Sequence, residues 1–207
     1  MLPQLVELLR SFVYLIPALV FHEFAHGWVA YKLGDRTAQS MGRLSLNPLK
    51  HIDPIGTIAM PLVLFLSTGG RFVFGAAKPV PVNFAALRNP RRDMVLVGLA
   101  GPLANFLFAF VLVLVWKFLP SSEFLGFRFE NFIFVNVFLG AFNLVPIPPL
   151  DGSRVVMGLL PYVQARSYAM LEPFGFIIVL ALLWVGLLDA VVWPFVQLVL
   201  TLLMIFH

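Results

Sequence analysis

Two histidines and a glutamate stand at the spacing H-E-x-x-H in "FHEFAHGW", Phe21 to Trp28. On a helix, residues four apart share a face, so His22 and His26 can present two imidazole nitrogens to one ion with Glu23 beside them. Hydrolytic zinc sites use three protein ligands and leave the fourth position to water, whose pKa falls to about 7 there. The chemistry these residues suit is metal-assisted hydrolysis with Glu23 as general base. The bland alternative is a chance match, which four histidines in 207 residues make rare.

A third ligand is needed. The chain has no cysteine, which excludes disulfides, thiolate ligands and a cysteine nucleophile together, so the ligand must be His, Asp or Glu. His207 is the last residue, where chains fray. His51, in "LKHIDP", sits in what reads as a surface loop, where a solvated or structural histidine is expected. Asp151 is the stronger choice. It follows "NLVPIPPLDG", in which Pro146, Pro148 and Pro149 stop the preceding helix and hold the chain extended, while Gly152 permits a turn. Rigid punctuation of this kind can hold one carboxylate at a defined depth. The competing reading is that Asp151 only caps the helix formed by "SRVVMGLL". Asn105, in "AGPLANF", and Asn143 are further polar groups inside apolar stretches. Each is either packing glue between helices or a substrate-binding or oxyanion-stabilising amide.

The elements that must carry these residues are membrane spans. Hydrophobic residues make up 60% of the chain and charged residues 12%, and the mean hydropathy is +0.94. These values lie far from the soluble balance and leave too few polar residues to cover a soluble exterior. The chain reads as one all-α polytopic membrane domain over residues 1–207, with about five to six transmembrane helices. Spans are expected at Ser11 to Tyr31, Met94 to Trp116 and Phe132 to Val145. Two more fit in the tail from Tyr168 to Phe206, broken near Asp189 and Pro194. The first run continues into His22 and Glu23 rather than into a small-residue cleavage site, so it reads as a retained span.

"IGTIAMPLVLFLS", Ile55 to Ser67, is short and contains Pro61, which suits a shallow span or a re-entrant element between the first two long helices. Nine of the fourteen Lys and Arg lie between Lys32 and Arg92, a topology signal and not a nucleic-acid patch. If the Lys32 to Lys50 loop and Arg88 to Arg92 are both cytoplasmic, an even number of crossings separates them. That favours a re-entrant loop, or a crossing paired with a second short one around Phe72 to Ala77. H-E-x-x-H then falls in the cytoplasmic half of its helix, and Asp151 follows the cytoplasmic end of the third, so the two can meet.

"HEFAH" in one span, "AGPLAN" in a later one and "NLVPIPPLDG" in another resemble, in order and separation, the site-2 protease family of intramembrane zinc metalloproteases. "GRLSLNPLKHIDPIGT" and "AKPVPVN" look like its compact prokaryotic subgroup, without PDZ or CBS domains. The resemblance covers nearly the whole chain. It implies one zinc ion per chain held by His22, His26 and Asp151, and Glu23 as catalytic base. It also implies Asn105 and Asn143 near the site, and a multi-pass location in a prokaryotic inner or plasma membrane with the active site toward the cytoplasm. The implied partners are membrane lipid and a transmembrane protein substrate, cut within or beside its span in regulated intramembrane proteolysis. A peptide bond in such a substrate is shielded until its helix unwinds. "AKPVPVN", Ala77 to Asn83, reads as an extended edge able to receive the unwound segment, or as an ordinary connecting loop. Two rivals remain: a metal-ion transporter, which would need a second ion station along its path, and a homologue that binds membrane segments without cutting them. The sequence sets no oligomeric state.

Overall fold

The structure, a computed structural model, describes residues 2–68, 78–119, 123–124 and 126–206. It is all-helical apart from one small hairpin. Helix α1 (Leu2–Lys32) is followed by the short α2 (Thr37–Ser40), a 3-10 turn at Pro48–Lys50 and a π-helical turn at Pro54–Ala59 that runs into α3 (Met60–Thr68). A 3-10 turn at Phe84–Ala86 precedes α4 (Pro90–Lys117). Strands β1 (Glu123–Phe124) and β2 (Phe127–Arg128) pair antiparallel and lead into α5 (Phe129–Asn143). Then come α6 (Asp151–Leu159), α7 (Tyr162–Ala169), a 3-10 turn at Glu172–Phe174, α8 (Gly175–Trp184) and α9 (Leu187–Met204).

Among the described residues, four stretches are long and apolar enough to cross a membrane: Leu8–Lys32, Pro90–Lys117, Tyr162–Trp184 and Leu187–Met204. Two shorter apolar helical segments, Pro54–Ser67 and Phe129–Asn143, accompany them. This is an all-α polytopic membrane protein. Helix α4 is the hub, packed by α1, α5 and α6. Its Leu103, Leu107, Val111 and Val115 form an exposed stripe at four-residue spacing, while Gly101, Asn105, Ala109 and Val113 are buried on the other side. A helix apolar on its outer face belongs in lipid. The main core joins Ala109 and Val113 to Ile133 and Val137 of α5, Val179 of α8, and Leu188, Val192 and Val196 of α9.

Three boundaries differ from the sequence reading. Helix α5 ends at Asn143, because the proline run begins three residues later; at fifteen residues it is about 22 Å long, short of a bilayer core of about 30 Å. The tail breaks at Gly186, three residues before Asp189, and not at Pro194. Gly186 takes the left-handed conformation, φ +76°, which only glycine adopts cheaply. Pro194 lies inside α9 and does not end it, as apolar spans tolerate proline. The segment Pro54–Thr68 is helical throughout. Its Asp53 carboxylate accepts from Ile55 N at 3.0 Å, capping the start.

The basic loops after α1 and before α4 lie together, since Arg88 N donates to Leu33 O at 3.0 Å. They share one end of the molecule, as an even number of crossings between them requires. The second short crossing considered around Phe72 to Ala77 lies outside the described residues, as does His207.

Candidate metal centre

His22 and His26 stand one turn apart on α1, both buried. Asp151 is the first residue of α6, delivered by the proline run to the same place. The His22 Nε2 to His26 Nε2 distance is 3.0 Å. Asp151 Oδ2 lies 3.0 Å from His22 Nε2 and 3.1 Å from His26 Nε2. Leu150, not Asp151, occupies the cap position of α6, and the Asp151 carboxylate is turned to the imidazoles. Among the described residues this is the one cluster of three or more metal-ligating side chains.

The protons around the imidazoles are already assigned. Asn105 on α4, fully buried, gives its amide N–H groups to Ala18 O at 3.0 Å and Asn136 Oδ1 at 3.0 Å. Its oxygen therefore faces His22 Nδ1 at 2.7 Å, and that nitrogen must be the donor. His26 Nδ1 likewise donates to Val97 O at 2.7 Å. Both Nε2 atoms are left with bare lone pairs, aimed at each other and at a carboxylate oxygen. Three such acceptors at about 3 Å repel unless a cation sits among them. A tetrahedral ion with bonds of about 2.0–2.1 Å places its ligands roughly 3.3 Å apart, within a few tenths of what is seen.

Gly101 supplies the room. A Cβ there would lie 2.3 Å from His26 Nε2 and 2.6 Å from His22 Nε2, so any other residue would fill the cradle. Gly98 serves the neighbouring contact: a Cβ on it would approach Asp151 O to 3.1 Å and the Arg154 Cβ to 3.0 Å. These two glycines on α4 let α1 and the start of α6 close on one point.

A cavity of about 290 Å³ opens beside the cluster, lined by His22, Glu23, His26, Asn143, Asp151 and Arg154, and by Pro79, Val80 and Val82 of the segment after α3. Glu23 lies at its wall, and its Oε2 accepts from Val80 N at 2.7 Å. Asn143 also lines the cavity, with one amide N–H given to Leu139 O at 3.0 Å. Arg154, one turn along α6 from Asp151, pairs with Glu172 and stacks over the Phe84 ring at 5.3 Å.

Of the residues singled out in the sequence, His22, His26 and Asp151 come together, with Glu23 and Asn143 on the same cavity. Asn105 does not reach the cavity; it stands behind His22 and ties α4 to α1 and α5. His51 is away from the cluster, buried, with Nε2 donating to Ser45 O at 2.7 Å. The described part of "AKPVPVN", Lys78 to Asn83, is neither helix nor strand, lines the cavity through Pro79, Val80 and Val82, and has Asn83 in extended backbone before the Phe84–Ala86 turn; Ala77 lies outside the described residues. Missed were Asn136, whose amide in the middle of the apolar "FVNVF" was a readable signal, and the Val97 carbonyl, which has no side-chain signature.

An all-helical membrane protein carrying a His-His-Asp cluster, its imidazoles buried and a glutamate alongside, belongs to the class of membrane metalloproteins. The sequence model described as "Peptidase family M50" matches residues 11–132 and 122–186. The chain therefore belongs to that family, the site-2 protease family, and is a metalloprotease by membership. "Putative zinc metalloprotease YwhC" of Bacillus subtilis is 42% identical over 87% of this chain and 82% of its own length. "Putative zinc metalloprotease Rip2" of Mycolicibacterium smegmatis is 32% identical over 80% of this chain and 63% of its own length. "Zinc metalloprotease MJ0392" of Methanocaldococcus jannaschii is 26% identical over 86% of this chain and 43% of its own length. These names support zinc as the metal. No solved structure matches the chain.

Proposed function

We propose that this metalloprotease works inside the membrane, hydrolysing a peptide bond within or next to a transmembrane segment of another protein, as a step of regulated intramembrane proteolysis. The observation that carries the reading is the convergence of Asp151, from the start of α6, on His22 and His26, which lie on one of the helices long enough to span a bilayer. His22, His26 and Asp151 would hold one zinc ion, whose chemistry there would be to acidify a water molecule and polarise the substrate carbonyl. Glu23 takes a proton from the attacking water and returns it to the amine that leaves. The Asn143 amide, on the same wall, donates to the carbonyl oxygen as charge develops there. Asn105 and Val97 O act only through the imidazoles, fixing the tautomer that leaves both Nε2 atoms free to bind metal.

The substrate must present an unwound stretch. The Lys78 to Asn83 segment is where it would lie, beside Val80 and Val82. The shared end of the two basic loops supports a cytoplasmic placement of that end, with the site toward it, because cytoplasmic loops collect Lys and Arg. Incubating the purified, zinc-loaded chain in lipid vesicles with a labelled single-span peptide tests the proposal. Cleavage abolished by a chelator and restored by zinc is expected. Metal uptake into the vesicles without any cleavage would overturn it in favour of a transporter.

A further inference from the structure

The loop between α1 and α3 contains buried charges that the metal cluster does not use. Asp35 is 1% exposed and Arg43 7% exposed. Burying a charge costs several kcal/mol unless something is gained, and no carboxylate pairs with Arg43 among the described residues. Its guanidinium is spent on backbone: Nη2 donates to Lys78 O at 2.9 Å and to Pro79 O at 3.3 Å. Asp35 Oδ2 accepts from Asn83 N at 2.7 Å. The main-chain oxygen of His51, also buried, accepts from Lys78 N at 3.0 Å. All three grip the same strap, two at its start and one at its end.

Between those grips the strap makes one contact with the chemistry, Val80 N–H to Glu23 Oε2 at 2.7 Å. The sequence Pro79-Val80-Pro81 permits no other. Proline has no N–H, so Val80 carries the only donor of the three, and a slip of one residue either way would leave Glu23 facing a ring. The Val80 side chain packs where a Cβ on Gly27 would meet it at 3.0 Å, which fixes the strap's height above α1. A carboxylate with one oxygen bound to a backbone N–H is held in one orientation. Its other oxygen is left for water.

We propose that the strap is a positioning device for the general base: the Val80 N–H orients Glu23, and Arg43 is a positioning residue that acts on Glu23 through the strap. This rests on Glu23 being the base, as argued above. The test uses the full chain in vesicles of phosphatidylethanolamine and phosphatidylglycerol with the labelled single-span peptide, reading kcat, KM and bound zinc. Val80→Pro deletes the donor and keeps an extended backbone; Val80→Ala keeps the donor and is its reference. Arg43→Met removes the grip, and Arg43→Lys restores one donor to the same carbonyls.

Loss of one bond to a charged group predicts a kcat about tenfold or more lower in Val80→Pro than in Val80→Ala, with KM and zinc content alike in the two. Arg43→Met should show the same selective fall in kcat, and Arg43→Lys should recover most of it. Equal kcat in the two Val80 variants, or an Arg43→Met that loses zinc together with activity, would overturn the proposal. If Val80→Pro does not fold, the Arg43 pair decides. The failures are separable: a zinc-loaded wild-type chain that cleaves nothing sinks the protease reading, whereas robust cleavage indifferent to the strap sinks this inference alone.

Discussion

Replacing Gly101 with alanine should empty the metal centre while leaving the fold intact. The added Cβ would lie 2.3 Å from His26 Nε2 and 2.6 Å from both Nε2 and Cε1 of His22. Ordinary contact is about 3.5 Å, so each ring must retreat by roughly 1 Å. Metal bonds tolerate about 0.2 Å, and both histidine ligands are pushed well beyond that. Disturbing a partner behind the ligands costs about 10- to 100-fold in affinity, so displacing two ligands directly should weaken zinc by at least 100-fold. The helix itself should not suffer, because alanine is the better helix former by about 1 kcal/mol. Zinc competition against a chromophoric chelator, beside thermal unfolding in detergent, separates the two effects. Wild-type zinc affinity in Gly101→Ala would refute the placement of the ion next to α4.

Other outcomes follow from the same geometry. Glu23→Gln should keep bound zinc and lose peptide hydrolysis, checked by metal analysis beside the vesicle assay; substantial surviving cleavage would remove Glu23 as the base. Asn105→Leu leaves the His22 Nδ1 proton without an acceptor in a buried place, so zinc affinity should fall about 10- to 100-fold in a chelator titration. Gly186→Ala meets nothing within 4 Å but must take φ +76°, so it should cost about 1–2 kcal/mol in unfolding measurements without changing zinc content.

The parts of the site legible in the sequence were those where a residue type is costly in its surroundings. His22, Glu23 and His26 stand out because charged and metal-binding side chains are expensive in an apolar helix. Asp151 stands out because three prolines deliver it. Asn136 carried the same signal more weakly, as one amide in an apolar run. The hydrogen bonds from His26 to Val97 O and from Val80 N to Glu23 had no signature, since backbone atoms are the same at every residue. Gly101 was legible as small but not as the floor of the cluster, because its meaning depends on how two other helices close over it. In the tail, the break near Asp189 was legible but Pro194 misled for a related reason: it is the louder breaker in sequence, but an apolar helix absorbs it, while Gly186 takes a turn that no side chain opposes.

The central claim is that H-E-x-x-H on α1 and the aspartate at the start of α6 make one metal centre. The most direct measurement is zinc per chain in the purified wild type beside Asp151→Ala, both equilibrated in the same zinc buffer. The account predicts one zinc per chain in the wild type and a large loss in the variant. Undiminished zinc in Asp151→Ala would contradict it.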